Sequence, residues 1–354
     1  MDISRKNQEQ VAGDNSTQNQ VVGTQNNTYV TVNGISIPDV ATFTTTVSTQ
    51  VTQQALSLCT QIAYDVACKK MSEFEAVWLP RVQHMEKAID NFAEPKFQFM
   101  LRDANITAAK STRAEDLNML SELLACHIEK GSDIKIDAGI SRAINIVNEV
   151  DLDTICALTM IVTILNITPV SGNLTKGLGI LNNLYKKLLI TDLPNNDEWI
   201  DNALIVGAIN MLSGNFYKIE RLMSDRLDGY ICTGIKKDTD DYFTALNILH
   251  SHNYNDSVFV ENELLSGYYR LDIPNLSSLD TELKPIAELY SKEHALIGQV
   301  KTRFTEMWDS YESLHKVRIW FESINTYFHI NMVGKVLAQT NARRCYPSFP
   351  DLIK

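Results

Sequence analysis

The residues best placed to do chemistry are few. His250-Ser251-His252 follows Asp238, Asp240 and Asp241 by about ten positions, and imidazole with carboxylate is a donor set for zinc or manganese. Such a set would serve a metal-dependent hydrolase or nuclease. Residues i and i+2 of a helix point to different faces, however, so the histidines converge only where a helix frays or the chain is extended. The simpler account is electrostatic, because an acidic first turn and a His-rich last turn both complement the helix dipole. Cys232, within Ile231-Cys232-Thr233-Gly234, is the most suggestive thiol. Reactive thiols sit at helix starts or beside bases, whereas here a helix is ending and no histidine stands at a recognisable spacing. The chain has no Gly-x-x-x-x-Gly-Lys-Ser/Thr loop, no Gly-x-Ser-x-Gly elbow and no His-Glu-x-x-His. Gly177-Leu178-Gly179 falls inside a helical run, not after a strand, and so is no dinucleotide fingerprint. No catalytic residue, metal ligand or cofactor is assigned, and a protein that is not an enzyme is the favoured expectation.

The elements that would position such groups follow from composition and pattern. The 354 residues carry 32 Lys and Arg against 43 Asp and Glu, a net charge of -11, and 44% are hydrophobic. These values describe a globular chain of about two domains and exclude collagen, wholesale disorder and a small disulfide scaffold. The six cysteines are scattered without a Cys-x-x-Cys pair, and the first twenty residues lack the apolar core of a signal peptide. Reduced thiols in a cytoplasmic protein are therefore expected. Residues 1–64 sum to -2 and residues 284–354 to +3, which leaves -12 for the middle. An acidic body repels phosphate backbones, so nucleic acid is disfavoured as a partner. Two uncharged stretches, 154–175 and 202–217, invite a membrane reading. The apolar part of the first, 155–167, is shorter than the roughly 20 residues a spanning helix needs. Both are expected as central helices; a membrane-active effector is kept as a further alternative.

Between Asp14 and Asp65 the only charged residue is Asp39. Just before that gap stands Gln8-Glu9-Gln10-Val11-Ala12-Gly13, which returns inside it ten positions later as Gln18-Asn19-Gln20-Val21-Val22-Gly23, with a degenerate third copy at Tyr29-Val30-Thr31-Val32-Asn33-Gly34. Each unit is β-prone and ends in Gly, which predicts strand then turn. Asn and Gln form ladders when like strands stack, and the segment has too little apolar surface for a core of its own. Residues 1–34 are accordingly expected to be an oligomerisation leader carrying Gln10, Val11, Gly13, Gln20, Val21, Val22, Gly23, Val30 and Val32. Ser36, Pro38 and Asp39 then start a helix. Its apolar stripe runs Val40, Phe43, Val47, Val51, Ala55, Leu58, Ile62, Val66, opposite an uncharged Thr/Gln face. Near-heptad spacing suggests packing against identical helices or against the body. Val40, Phe43, Val47 and Val51 complete the oligomerisation set.

The long helix is expected over 35–93, kinked near Pro80. An acidic helical body over 94–277 and long C-terminal helices over 278–354 follow. The fold class is mainly α. Candidate helices are 96–109, 114–130, 137–149, 152–167, 174–190, 197–213, 216–231, 240–251, 280–309 and 312–340, separated by Gly, Pro and Asn breakers. Aromatics at helical spacing in the last segment are expected to pack against neighbouring helices.

The motifs together resemble those of an uncharacterised bacterial family. They are Gly13-Asp14-Asn15-Ser16, the Gly34-Ile35-Ser36 step, Glu94-Pro95-x-Phe97-Gln98 and the Cys232-Thr233-Gly234 turn, over about the first 240 residues. The resemblance implies organisation and bacterial origin, and no activity. The leader is also similar to amyloid-type assembly motifs of signalling proteins, whose core is apolar-Gln-apolar-Gly. It departs from them by one position, which changes the face each Gln occupies. The function expected is a self-assembling, non-enzymatic protein whose partners are itself and another protein, with anti-phage defence suggested by the architecture.

Overall fold

Polar caps and breakers punctuate the chain, and helices fill the intervals between them. The computed structural model describes residues 42, 45–50, 52, 61–83, 85, 88–214 and 218–353, and over these the chain is mainly α. Residues 45–50 are helical. After them come α1 (Gln61–Val82), α2 (Ala88–Phe92), α3 (Pro95–Lys110), α4 (Ala114–Lys130), α5 (Ile134–Ile146), α6 (Leu152–Asn166) and α7 (Leu174–Leu188). Asp133 accepts from the N–H groups of Lys135 and Ile136, Asp151 from Thr154 and Asn173 from Lys176. Each cap satisfies amides that the first helical turn leaves open.

The centre of the main body is α4 and α6. Residues 119–128 of α4 and 154–164 of α6 are buried without a break, as a helix lacking a polar face must be. Thr159 and Thr163 return their hydroxyls to the carbonyls of Ile155 and Thr159, both at 2.7 Å, so the polar atoms enter the core with partners. The uncharged stretch at 154–175 thus supplies a core helix. No helix of the described residues is long and apolar enough to cross a membrane.

The second half adds α8 (Glu198–Ile205), β1 (Ile209–Met211), α9 (Ile219–Arg226), β2 (Ile235–Lys236) and α10 (Asp240–Ser251). Then follow β3 (Phe259–Glu261), β4 (Tyr268–Leu271), α11 (Lys284–Glu288), α12 (His294–Asp309), α13 (Glu312–Ser323), β5 (Phe328–Ile330) and α14 (Met332–Cys345). The last helix returns to the centre and packs on α6, α5 and α4. Asn341 donates to Thr159 Oγ1 at 2.9 Å, and Arg343 lies 3.6 Å from Glu122 of α4. Arg81, at the end of α1, binds the same carboxylate. Burial pushes the Glu122 carboxyl up, against the pull of the two guanidinium groups.

A smaller core gathers Ile235, Ala245, Leu249, Phe259, Leu271, Leu279, Leu283, Ile286 and Tyr290, on both sides of position 277. Its antiparallel sheet has the order β2-β4-β3. Arg270 fastens this lobe to the main body. It is wholly buried and donates to Glu263 at 2.6 Å and to the carbonyl of Gly172 at 3.0 Å. Glu263 accepts in turn from the Leu174 amide at the start of α7, at 3.0 Å.

Several expected helices are shorter, for local reasons. The helix expected over 197–213 stops at Ile205 because Gly207 takes φ +74. Ala208 N–H then reaches Ala203 O at 2.8 Å and Gly207 N–H reaches Leu204 O at 3.0 Å, which is a Schellman stop. The chain emerges as β1 and pairs antiparallel with β5, Ile209 opposite Ile330. That pairing, with Asn331 capping α14, also divides the helix expected over 312–340. The helix expected over 280–309 opens at 289–293, where Ser291 binds Gly234 O at 3.0 Å and accepts from Thr233 at 2.6 Å. The helix expected over 216–231 spans only α9. In the N-terminal region, α1 ends two residues past Pro80 and α2 begins after a break. Proline removes an amide and crowds the preceding turn, yet the helix runs on through Pro80 to Val82.

Candidate functional site

The face of the N-terminal helix that meets the body is lined with hydroxyls. Ser48 and Thr52 are buried, at 8% and 2% exposure. Ser48 Oγ donates to Asn105 Oδ1 of α3 at 3.1 Å, Thr45 to Glu75 of α1 at 3.2 Å, and Thr52 to Met71 Sδ at 3.4 Å. Thr46, Thr49 and Thr52 also bond the carbonyls four residues back, at 2.7–2.8 Å, so the uncharged surface keeps its hydroxyls paired within the helix. Val47, the one residue of the expected oligomerisation set among those described, is half-buried. It stands about 100° round the helix from Ser48. Gln10, Val11, Gly13, Gln20, Val21, Val22, Gly23, Val30, Val32, Val40, Phe43 and Val51 lie outside the described residues.

The expected stripe and the packed stripe also part company on α1. The body covers Ala67, Met71, Phe74, Trp78 and Val82, while Ile62 and Val66 remain 78% and 54% exposed. The seat formed by Ser48, Thr52 and Asn105 is absent from the sequence reading, whose only signal for it was the lack of charge on the Thr/Gln face.

The groups proposed for chemistry are not brought together. Asp240 and Asp241 open α10 and His250 lies in its last turn, about 15 Å away along a helix of that rise. His250 Nε2 is bonded instead to exposed Asp256 at 2.6 Å. Among the described residues no group of three His, Cys, Asp or Glu side chains is placed to hold a metal ion. Cys232 donates to Gly229 O at 3.2 Å, and burial pushes its thiol up to about 12. Burial likewise pushes Cys126 and Cys156 up to about 11, and the described cysteines are all free. The C-terminal aromatics pack internally: Phe304, Trp308, Trp320 and Phe321 are buried, with Trp320 6.1 Å from Trp199.

A buried polar group that sequence reasoning missed joins three helices. His127 Nδ1 of α4 lies 2.6 Å from Asp137 of α5, whose other oxygen binds Lys96 of α3. The imidazole stacks on Phe97 at 5.6 Å. An open cleft of about 910 Å³ separates the loop 189–195 from α13. Its ionic groups are already engaged, His315 with Asp309 at 3.2 Å and Lys316 with Asp192 at 3.8 Å. The hydroxyl seat and the exposed stripe beside it remain the best candidate, as an assembly face.

No curated protein and no solved structure matches the chain. One family model does, over residues 34–353, so that it begins at the last glycine of the repeat and takes in every element from α1 to α14. The chain belongs to that uncharacterised family.

Proposed function

We propose that this is a non-enzymatic, self-assembling cytosolic protein of bacterial origin, in which the N-terminal segment drives oligomerisation and the acidic helical body binds a partner protein. Anti-phage defence is the setting that this architecture suggests. The observation that carries the reading is the exposure of Ile62 and Val66, at 78% and 54%, in the first turns of α1. Apolar side chains left uncovered on a helix whose packed face is Ala67, Met71, Phe74, Trp78 and Val82 are suited to a like helix from another copy. The later units of the repeat before it, uncharged from Asn15 to Pro38, would add strands with no like-charge repulsion between copies.

Mass photometry of the full chain and of a chain lacking residues 1–34 tests this. The full chain is expected to be oligomeric, and the shortened chain and the Ile62→Glu/Val66→Glu variant to shift towards monomer. Equal monomeric masses for the full and shortened chains would sink the reading.

A further inference from the structure

The second uncharged stretch of the sequence ends in an open sheet edge. No charged residue occurs between Asp201 and Lys218, and this run carries α8's last turns and β1. Leu204, Ile205, Met211 and Leu212 are 45%, 81%, 47% and 45% exposed, a cluster of large apolar side chains in a chain of net charge -11. β1 has β5 as its one strand neighbour among the described residues. Asn331 N–H donates to Ala208 O at 3.2 Å and Leu212 N–H donates to Tyr327 O at 3.0 Å. Residues 208, 210 and 212 therefore face β5, and antiparallel alternation turns the N–H and C=O of Met211 to the opposite side. Exposed edges are normally blunted by shortness, Lys, Pro or a bulge. β1 is only three residues long, but no Lys, Pro or bulge stands between Asp201 and Gly214.

We propose that the free edge of β1 receives a β-prone unit of the leader from a second copy of the chain. This rests on the self-assembly reading and names the surface it would use. Forty-one residues precede Thr42, the first described residue, and from Asn15 to Pro38 they contain no charge. Strand addition joins backbone to backbone, and an uncharged strand on an uncharged edge buries no unpaired ion. The occupant is a neighbour's leader because the units at 10–12, 20–22 and 30–32 outnumber the one edge that β1 offers. A multivalent leader of this kind links several copies and raises avidity without new contact types.

Among the described residues the core cluster begins at Phe74, well beyond the residues removed. Mass photometry is paired with amide exchange at Met211 in the full chain, the chain lacking residues 1–34 and the full-length Met211→Lys and Ile205→Lys variants. Far-UV circular dichroism and melting report their folding. Expected are loss of the oligomer in all three altered chains at unchanged melting, and exchange at Met211 slowed about tenfold or more in the assembled full chain. If removing the leader abolishes assembly but both edge variants assemble normally with fast exchange at Met211, the edge proposal is overturned and the self-assembly reading stands. If removing the leader changes nothing, the self-assembly reading fails. Protection that persists without the leader would mean that two β1 edges pair directly. Protection already present in dilute monomer would assign the edge to the chain's own leader. Either result overturns the proposal.

Discussion

Burial decides the chemistry of Cys126, Cys156 and Cys232. With thiols at about 11 for Cys126 and Cys156 and about 12 for Cys232, the thiolate fraction at pH 8 is on the order of one in a thousand or less. Iodoacetamide at that pH is expected to leave these three unlabelled in the native protein and to label them once the chain is unfolded. Peptide mass spectrometry before and after denaturation reads this, and native labelling of Cys232 would contradict its assigned environment. At this scale the sequence was a partial guide. It set Cys232 at a helix end, whereas α9 stops at Arg226 and burial in the loop after it is what raises the thiol. Ser48 and Thr52 were not legible either. Their burial depends on Asn105 and Met71, which only the fold brings near.

Among the elements, helices with strong termini were legible and short strands were not. The spans expected at 114–130 and 240–251 coincide with α4 and α10, because Gly131 and Thr239 mark ends that depend on neighbours in sequence. Strands such as β1 and β5 are three residues long, too short for a period-two pattern, and their partners are remote in sequence. Gly207 did carry a local stop signal, which the apolar run through 204–212 obscured. The joint between β1 and α14 is tight at Gly334, where an added Cβ would lie 2.3 Å from Ala208 O. Gly334→Ala is expected to destabilise by about 1–3 kcal/mol. Gly179→Ala, on α7 with open space around it, is expected to stabilise by about 0.5–1 kcal/mol. Urea unfolding of both variants checks the pair, and equal midpoints would remove the close approach as the cause.

For the molecule as a whole, the attachment of the small lobe is the most concentrated interaction. Arg270 is wholly buried and serves Glu263 and Gly172, with its guanidinium 5.5 Å from the Tyr230 ring centre. Arg270→Met would leave Glu263 without its cation and is expected to cost about 3 kcal/mol. Adding Glu263→Leu should restore part of that loss, because the unpaired charge goes with it. Denaturant unfolding monitored on tryptophan would show it, and a double variant no more stable than the single one would count against the pairing. Of this lobe only α10 was legible beforehand: the core draws on residues from Ile235 to Tyr290, and its two- to four-residue strands are too short to show a period-two pattern.

The position of α14 also sets a schedule for synthesis. The helix that closes the main core against α6, α5 and α4 is made long after the leader has left the ribosome. At about 5–20 residues per second, the roughly 170 residues between Asn166 and Met332 take about 8–35 s. Throughout that interval α4 and α6 lack the surface that will cover them, while the N-terminal repeats are already free to meet those of neighbouring nascent chains. If the leader assembles as proposed, its pairing precedes folding of the body, and polysomes carrying this message would be the first place to find it.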